Sequence, residues 1–242
     1  MPHGGPDYGV GAPKATVYRL QDMAELAVRL GSIVSFDRRG DVVWLDDFED
    51  NIAKWDVSVI GGGSSAALST DRPHSGNKSA KLTCATGTSP EVQLVKMFPY
   101  PILSGVGFEV AVCGYTSFDY LLADIVLANG TTITTARARY NPVAQTLQYL
   151  GADGNYHTID TGVALVTGYN LYNRIKLVSD LAAGKLNRLL YNERSYDLSA
   201  YTAYTGASSA GPYLTVVIKV VGHTGDTDVV YVDDVIVTQN EP

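Results

Sequence analysis

From residue 46 onward the chain is a succession of short apolar and β-branched runs divided by turn signals. The runs fall at 56–60, 66–70, 78–85, 91–98, 107–115, 120–128, 131–140, 145–150, 155–160, 172–180, 185–191, 213–221 and 228–238. Between them stand Gly61-Gly62-Gly63, Asn129-Gly130, Gly151-Ala152-Asp153-Gly154, Ala183-Gly184 and Asn192-Glu193. Asn-Gly between two β-rich runs is the strongest short hairpin signal, because both residues accept positive φ. Many short strands at this spacing predict an all-β, antiparallel two-sheet β-sandwich. No period of 20–50 residues is visible, which argues against a solenoid or propeller.

Composition agrees. Of 242 residues, 45% are hydrophobic and 18% charged, enough apolar material for a core and too little charge for a disordered chain. The formal net charge of −7 repels a phosphate backbone, so nucleic acid is not an expected partner. The one local basic pair, Arg137 and Arg139, lies at alternate positions of one strand and reads as a solvated strand face. No apolar run approaches the ~20 residues of a membrane helix, so no membrane span is expected. In the run 79–84, alternation puts Cys84 on the face of Leu82. In 108–113 it puts Cys113 on the face of Glu109. The two thiols are expected on different sides of the sandwich, unpaired.

The first 45 residues differ in kind. Residues 1–16 are rich in Gly and Pro and predict a mobile arm. Leu20, Met23, Ala24, Ala27 and Leu30 recur at helical spacing, with Gly31 placed as a C-terminal cap, so one short helix is predicted over 17–31. A hairpin is predicted next, from Ile33–Phe36 to Val42–Leu45 around Asp37-Arg38-Arg39-Gly40. Residues 1–45 are read as an N-terminal segment for attachment or oligomerisation, or as a subdomain packed on its own sandwich. Residues 46–242 are read as the β-sandwich domain. The start of the chain has no basic stretch followed by an apolar one, which predicts no secretory signal and synthesis in a cytoplasm.

Three stretches carry a resemblance. Asp46-Asp47-Phe48-Glu49-Asp50, then Trp55, then His74-Ser75-Gly76-Asn77-Lys78-Ser79-Ala80-Lys81-Leu82, resembles the opening of the carbohydrate-binding-module and concanavalin-like jelly-roll families. Val230-Tyr231-Val232-Asp233-Asp234-Val235 resembles their closing strand. Asn173–Asp180 with Tyr196-Asp197-Leu198 resembles the back-sheet hairpin of laminin-G-like jelly rolls. The resemblance implies a lectin-like jelly roll whose first and last strands are neighbours. It also implies a structural Ca²⁺ held by Glu49 and Asp233 or Asp234, since hard oxygen ligands suit that ion. The alternative is that the acidic residues near 46–49 only cap a turn while the Asp pair faces water. Alternation does not decide which of Asp233 and Asp234 points inward.

Catalytic patterns are missing. A glycosidase needs two facing carboxyl groups, and no strand offers an alternating acidic pair outside a turn. No Gly-x-Ser-x-Gly elbow is present. His3, His74, His157 and His223 are scattered, without metal-ligand spacing. Exposed aromatic rings, by contrast, can stack on a sugar. Tyr196, Tyr201 and Tyr204 lie in or beside a Ser/Thr/Ala/Gly-rich stretch and are the candidate ligand-binding residues; Tyr115, Phe118 and Tyr120 form a second aromatic cluster. The same rings would equally suit a core or a subunit interface.

The expected function is therefore non-catalytic. One reading is a structural protein of a tailed-phage virion, capsid-decorating or tail- or fibre-associated. It would meet other virion proteins, and copies of itself, through residues 1–45. The other is a carbohydrate-binding module or lectin, placed extracellularly, that recognises glycans through exposed tyrosines.

Overall fold

The computed structural model describes residues 36–37, 39–114, 118–166, 168 and 171–242. The arm, the helix over 17–31, residues 33–35 of the hairpin's first arm and Tyr115 lie outside the described residues.

Sixteen strands are present among them: β1 (Asp41–Asp46), β2 (Asp56–Ile60), β3 (Ser65–Ser69), β4 (Ser79–Cys84), β5 (Glu91–Pro99), β6 (Gly105–Gly114), β7 (Tyr120–Ala128), β8 (Thr132–Asn141), β9 (Thr146–Leu150), β10 (Tyr156–Thr161), β11 (Asn173–Asp180), β12 (Lys185–Tyr191), β13 (Arg194–Asp197), β14 (Tyr204–Ala207), β15 (Tyr213–Val221) and β16 (Asp228–Gln239). They form two antiparallel sheets. The first runs β13-β12-β11-β6-β16-β4-β3, with β1 also on β16; the second runs β10-β9-β8-β7-β15-β5-β2, with β14 also on β8.

Alternation drives the layering. On β7, Leu121, Ala123, Ile125 and Leu127 belong to the core, and on β15 Leu214, Val216, Ile218 and Val220 do. The first sheet answers with Val106, Phe108, Val110 and Val112 of β6 and with Leu82 and Cys84 of β4. Side chains of period two bury one face of each sheet and leave the other for polar groups. At the N-terminal end, Phe48 stacks on Trp55 at 5.9 Å, and Trp44 meets Trp55 edge-on at 5.2 Å. Buried Asp46 ties this corner together, accepting hydrogen bonds from the Trp55 indole at 2.9 Å and the Phe48 amide at 3.2 Å.

First and last strands are neighbours: Asp41 pairs with Gln239 and Asp46 with Val235. Among the described residues the first strand is therefore β1, which starts at Asp41. β16 is shared along one side, β4 flanking Asp228–Val232 and β1 flanking Val235–Gln239. At the junction a bulge against β6 inserts an extra residue between Asp233 and Ile236, and Asp234 takes φ 45°. Core contacts switch there from Val230 and Val232 to Val235 and Val237. Both aspartates leave the core side as a result.

Both cysteines are free and buried. Cys84 lies in the core, while Cys113 is on the other face of the first sheet, within 3.9 Å of an Arg72 nitrogen.

Candidate functional site

The two outer faces are unlike each other. On the first sheet, Lys176 of β11 and Arg188 of β12 sit buried under Asp37, Arg39 and residues 241–242. The Lys176 ammonium is 2.7 Å from Glu241 and 3.0 Å from Asp37; Arg188 pairs with Glu241 and with Asp37 at 3.5 Å. Burial raises the Asp37 carboxyl, but Arg39 and Lys176 outweigh it and hold the group at about 2. Glu109 of β6, on the same face, is pushed up to about 7 by burial. These charges are consumed in closing that face.

The second sheet's outer face carries a polar row instead. The registers place Thr158 opposite Gln148, Gln148 opposite Arg139, Arg139 opposite Leu122, Leu122 opposite Lys219, Lys219 opposite Gln93, and Gln93 opposite Ser58. Directly opposed residues of an antiparallel sheet share a face. The row therefore crosses all seven strands from β10 to β2. Its members are linked at one end: the Arg139 Nε donates to Gln148 Oε1 at 2.8 Å, and the Gln148 amide donates to Thr158 Oγ1 at 3.4 Å.

Tyrosines flank Arg139. Its guanidinium carbon is 3.3 Å from the ring centre of Tyr156 and 4.6 Å from that of Tyr120. Burial, with the like charge of Arg137 adding to it, lowers the Arg139 pKa from its ordinary value. Arg137, one strand position pair away, makes two bonds to Asp124, at 2.7 and 2.6 Å, and donates to the Tyr156 hydroxyl at 3.1 Å. Burial raises Asp124, opposed by Arg137; burial would lower Arg137, and the Asp124 bond more than reverses it. Lys219 pairs with Glu91 at 2.6 Å.

The predicted residues separate. Tyr204 is on β14 opposite Thr135, so it shares the outer face with Arg137. Tyr201 is exposed, but it lies on the far side of the sheet's edge, its ring 4.6 Å from Tyr149, which in turn stacks on His157 at 5.3 Å. Tyr196 packs against the core and donates its hydroxyl to Asp160 at 2.7 Å. The three tyrosines do not form one site. Phe118 is wholly buried, whereas Tyr120 belongs to the polar face.

Glu49, Asp233 and Asp234 converge on one loop rather than on an ion. Glu49 Oε1 accepts the amides of Asn77 at 2.6 Å and Lys78 at 2.7 Å. Asp233 Oδ2 accepts the amides of His74 at 2.8 Å and Ser75 at 3.3 Å, and its Oδ1 accepts the Asp234 amide at 2.9 Å. Asp234 meets the His74 ring and the Ser75 hydroxyl. Each of the three carboxylates thus takes protein donors, and among the described residues no group of three or more His, Cys, Asp or Glu side chains is arranged to hold a metal. The residues present do not fit the ion; they clamp residues 74–78. Burial and the neighbouring Asp234 push Asp233 up to about 7.

Sequence reasoning located Arg137 and Arg139 on a strand face but missed their partners. Asp124, Tyr156, Gln148 and Lys219 come from four other strands. Period-two alternation marks each as outward-facing, but which strands lie side by side is a property of the sheet.

No family model matches the chain, and no curated protein matches it. Solved structures do. An endo-β-1,4-glucuronan lyase from the fungus Trichoderma reesei superposes with a TM-score of 0.56 at 10% identity, over 82% of this chain and 95% of that one. A Bacillus subtilis protein with a galectin-like fold gives 0.52 at 12%, over 83% and 97%. A carbohydrate esterase from the Shiga toxin-encoding bacteriophage phi24B gives 0.51 at 14%, over 83% and 99%. At these identities the likeness is one of fold: the chain is an antiparallel two-sheet sandwich of the lectin-like, galectin-like kind.

Proposed function

We propose that the chain is a non-catalytic glycan-binding sandwich that receives an extended polysaccharide across the outer face of its second sheet. The row from Thr158 to Ser58 carries this reading. It sets hydroxyl, amide and guanidinium groups side by side at the strand spacing of about 4.8 Å, and, beyond Leu122, ammonium, amide and hydroxyl groups at the same spacing. Tyrosine rings border it, suited to the apolar face of a sugar ring. The named activities of two structural neighbours, on a glucuronan and on a carbohydrate, point the same way.

Binding without hydrolysis is supported by the state of the carboxyls on this face. Asp124 is buried and doubly bonded to Arg137, and Glu91 is held by Lys219. Neither is placed to act as a proton donor facing a second, free carboxylate. Affinity electrophoresis and a glycan array on the full chain test the proposal. Retention by at least one polysaccharide, lost on replacing Gln148 and Gln93 together by Ala, is the expected result. A chain that no glycan retains sinks it.

The likeness to a bacteriophage protein supports a second reading, in which the sandwich is a structural part of a virion, capsid-decorating or in a tail or fibre, and assembles through residues 1–45. Light scattering on the full chain tests this. Assemblies of fixed stoichiometry favour it, and a monomer at all concentrations counts against it.

A further inference from the structure

We infer that the polysaccharide taken by this face is acidic, and that Arg139 receives its carboxylate. The inference rests on the reading of the polar row as a glycan track and specifies the chemistry of the sugar.

Charge accounting comes first. The strand residues of the outer face from β10 to β5 include three cations, Arg137, Arg139 and Lys219, and two anions, Asp124 and Glu91. Each anion is already paired, Asp124 with Arg137 and Glu91 with Lys219. Among the described residues Arg139 has no carboxylate partner. Over the whole face β2 adds one exposed anion, Asp56 opposite Val95, so the charges balance in number; Asp56 lies four strands from Arg139, which is left with no carboxylate beside it.

Geometry comes next. The Arg139 Nε is used by Gln148, and the guanidinium lies against Tyr156 and near Tyr120. Its two terminal nitrogens remain, and they form the fork that matches a carboxylate with two parallel bonds. The rings and the glutamine fix this fork before any ligand arrives, so little side-chain freedom is lost on binding. A neutral sugar laid over Arg139 would take its charge out of water and return no opposite charge, which is unfavourable. A uronate unit removes that cost. Gln148 and Thr158 on one side, and Lys219 and Gln93 beyond Leu122 on the other, keep further hydrogen-bonding capacity beside their present partners for the hydroxyls of adjoining units.

The test is titration calorimetry of the full chain with polyglucuronate and polygalacturonate, each beside its carboxyl-reduced, neutral counterpart, at low and high salt. At least one acidic polymer is expected to bind about tenfold or more tightly than its reduced form, the difference shrinking with salt. Arg139→Gln should bring the affinities for the acidic and the reduced polymer together, abolishing the preference, and Arg139→Lys should keep part of it. Melting curves of both variants establish that they fold. Equal affinity for acidic and reduced polymers, or a preference that survives Arg139→Gln, overturns the inference while the track reading stands. Failure of every polymer to bind overturns both.

Discussion

The ring of Tyr156 lies 3.3 Å beneath the guanidinium carbon of Arg139, while its hydroxyl accepts a hydrogen bond from Arg137 at 3.1 Å. One side chain of β10 therefore orders two arginines of β8 across the intervening strand β9. The two halves of the residue have separable jobs. Tyr156→Ala should weaken polysaccharide binding about tenfold, since a cation over a ring contributes about 1–2 kcal/mol when partly desolvated. Tyr156→Phe keeps the ring and should bind within about threefold of the parent, because the bond it loses comes from Arg137, which Asp124 still holds through two bonds. Calorimetry on both variants reads the difference.

Asp124 and Arg137 form a bidentate pair in which the carboxylate is buried. Removing one partner of such a pair strands the other. Asp124→Ala should destabilise the fold by about 2–4 kcal/mol, below the full range for deeply buried pairs because Arg137 keeps partial access to water. Adding Arg137→Met to Asp124→Leu should recover most of the loss. Urea denaturation of the two variants beside the parent measures this.

The tyrosines divide by face. Tyr204 shares the outer face of the second sheet, and Tyr201 does not. Tyr204→Ala should reduce glycan affinity, by about threefold or more for a ring at the margin of the track. Tyr201→Ala should leave it unchanged. Equal losses from both would move the binding site to the edge of the sheet.

Asp233 gives a pH dependence. Its carboxyl is raised from 3.8 to about 7 by burial and by Asp234. The native state therefore holds a proton, between these two values, that the unfolded chain has released. Stability from this group is fully present below about pH 4 and is lost as pH rises towards 7. Glu109, raised from 4.5 to about 7 by burial, acts with the same sign. Asp233→Asn should flatten, without abolishing, the decline between pH 4 and 7, as read from urea midpoints along a pH series. An unchanged slope would mean that the amides of His74 and Ser75 keep Asp233 ionised throughout.

Much of the fold was legible because each long strand carries its own alternation. The runs 120–128, 185–191 and 213–221 match β7, β12 and β15 at both ends. The opposite facing of Cys84 and Cys113 followed from the same period. β13 and β14 escaped because Arg194–Asp197 and Tyr204–Ala207 have no apolar alternation; they are four-residue strands added to β12 and β8. Asp233 and Asp234 could not be ranked by alternation because the bulge resets the phase between Val232 and Val235. The clamp on residues 74–78 was hidden for a related reason. Three acidic residues at a sheet end look alike whether they face a cation or a row of amides, and the loop 74–78 that supplies the amides reveals itself only when folded. The polar row was hidden because it has one residue per strand and draws on strands from residue 58 to residue 219.

The pairing of Asp41 with Gln239 has a use beyond stability. The start of the first described strand and the end of the last lie within one strand spacing of each other. A host protein could therefore carry the whole body on two adjacent stems, spliced into a surface turn, without being pried apart. Such a graft would present the β10-to-β2 face as a transplantable sensor, its reach set by the stems alone.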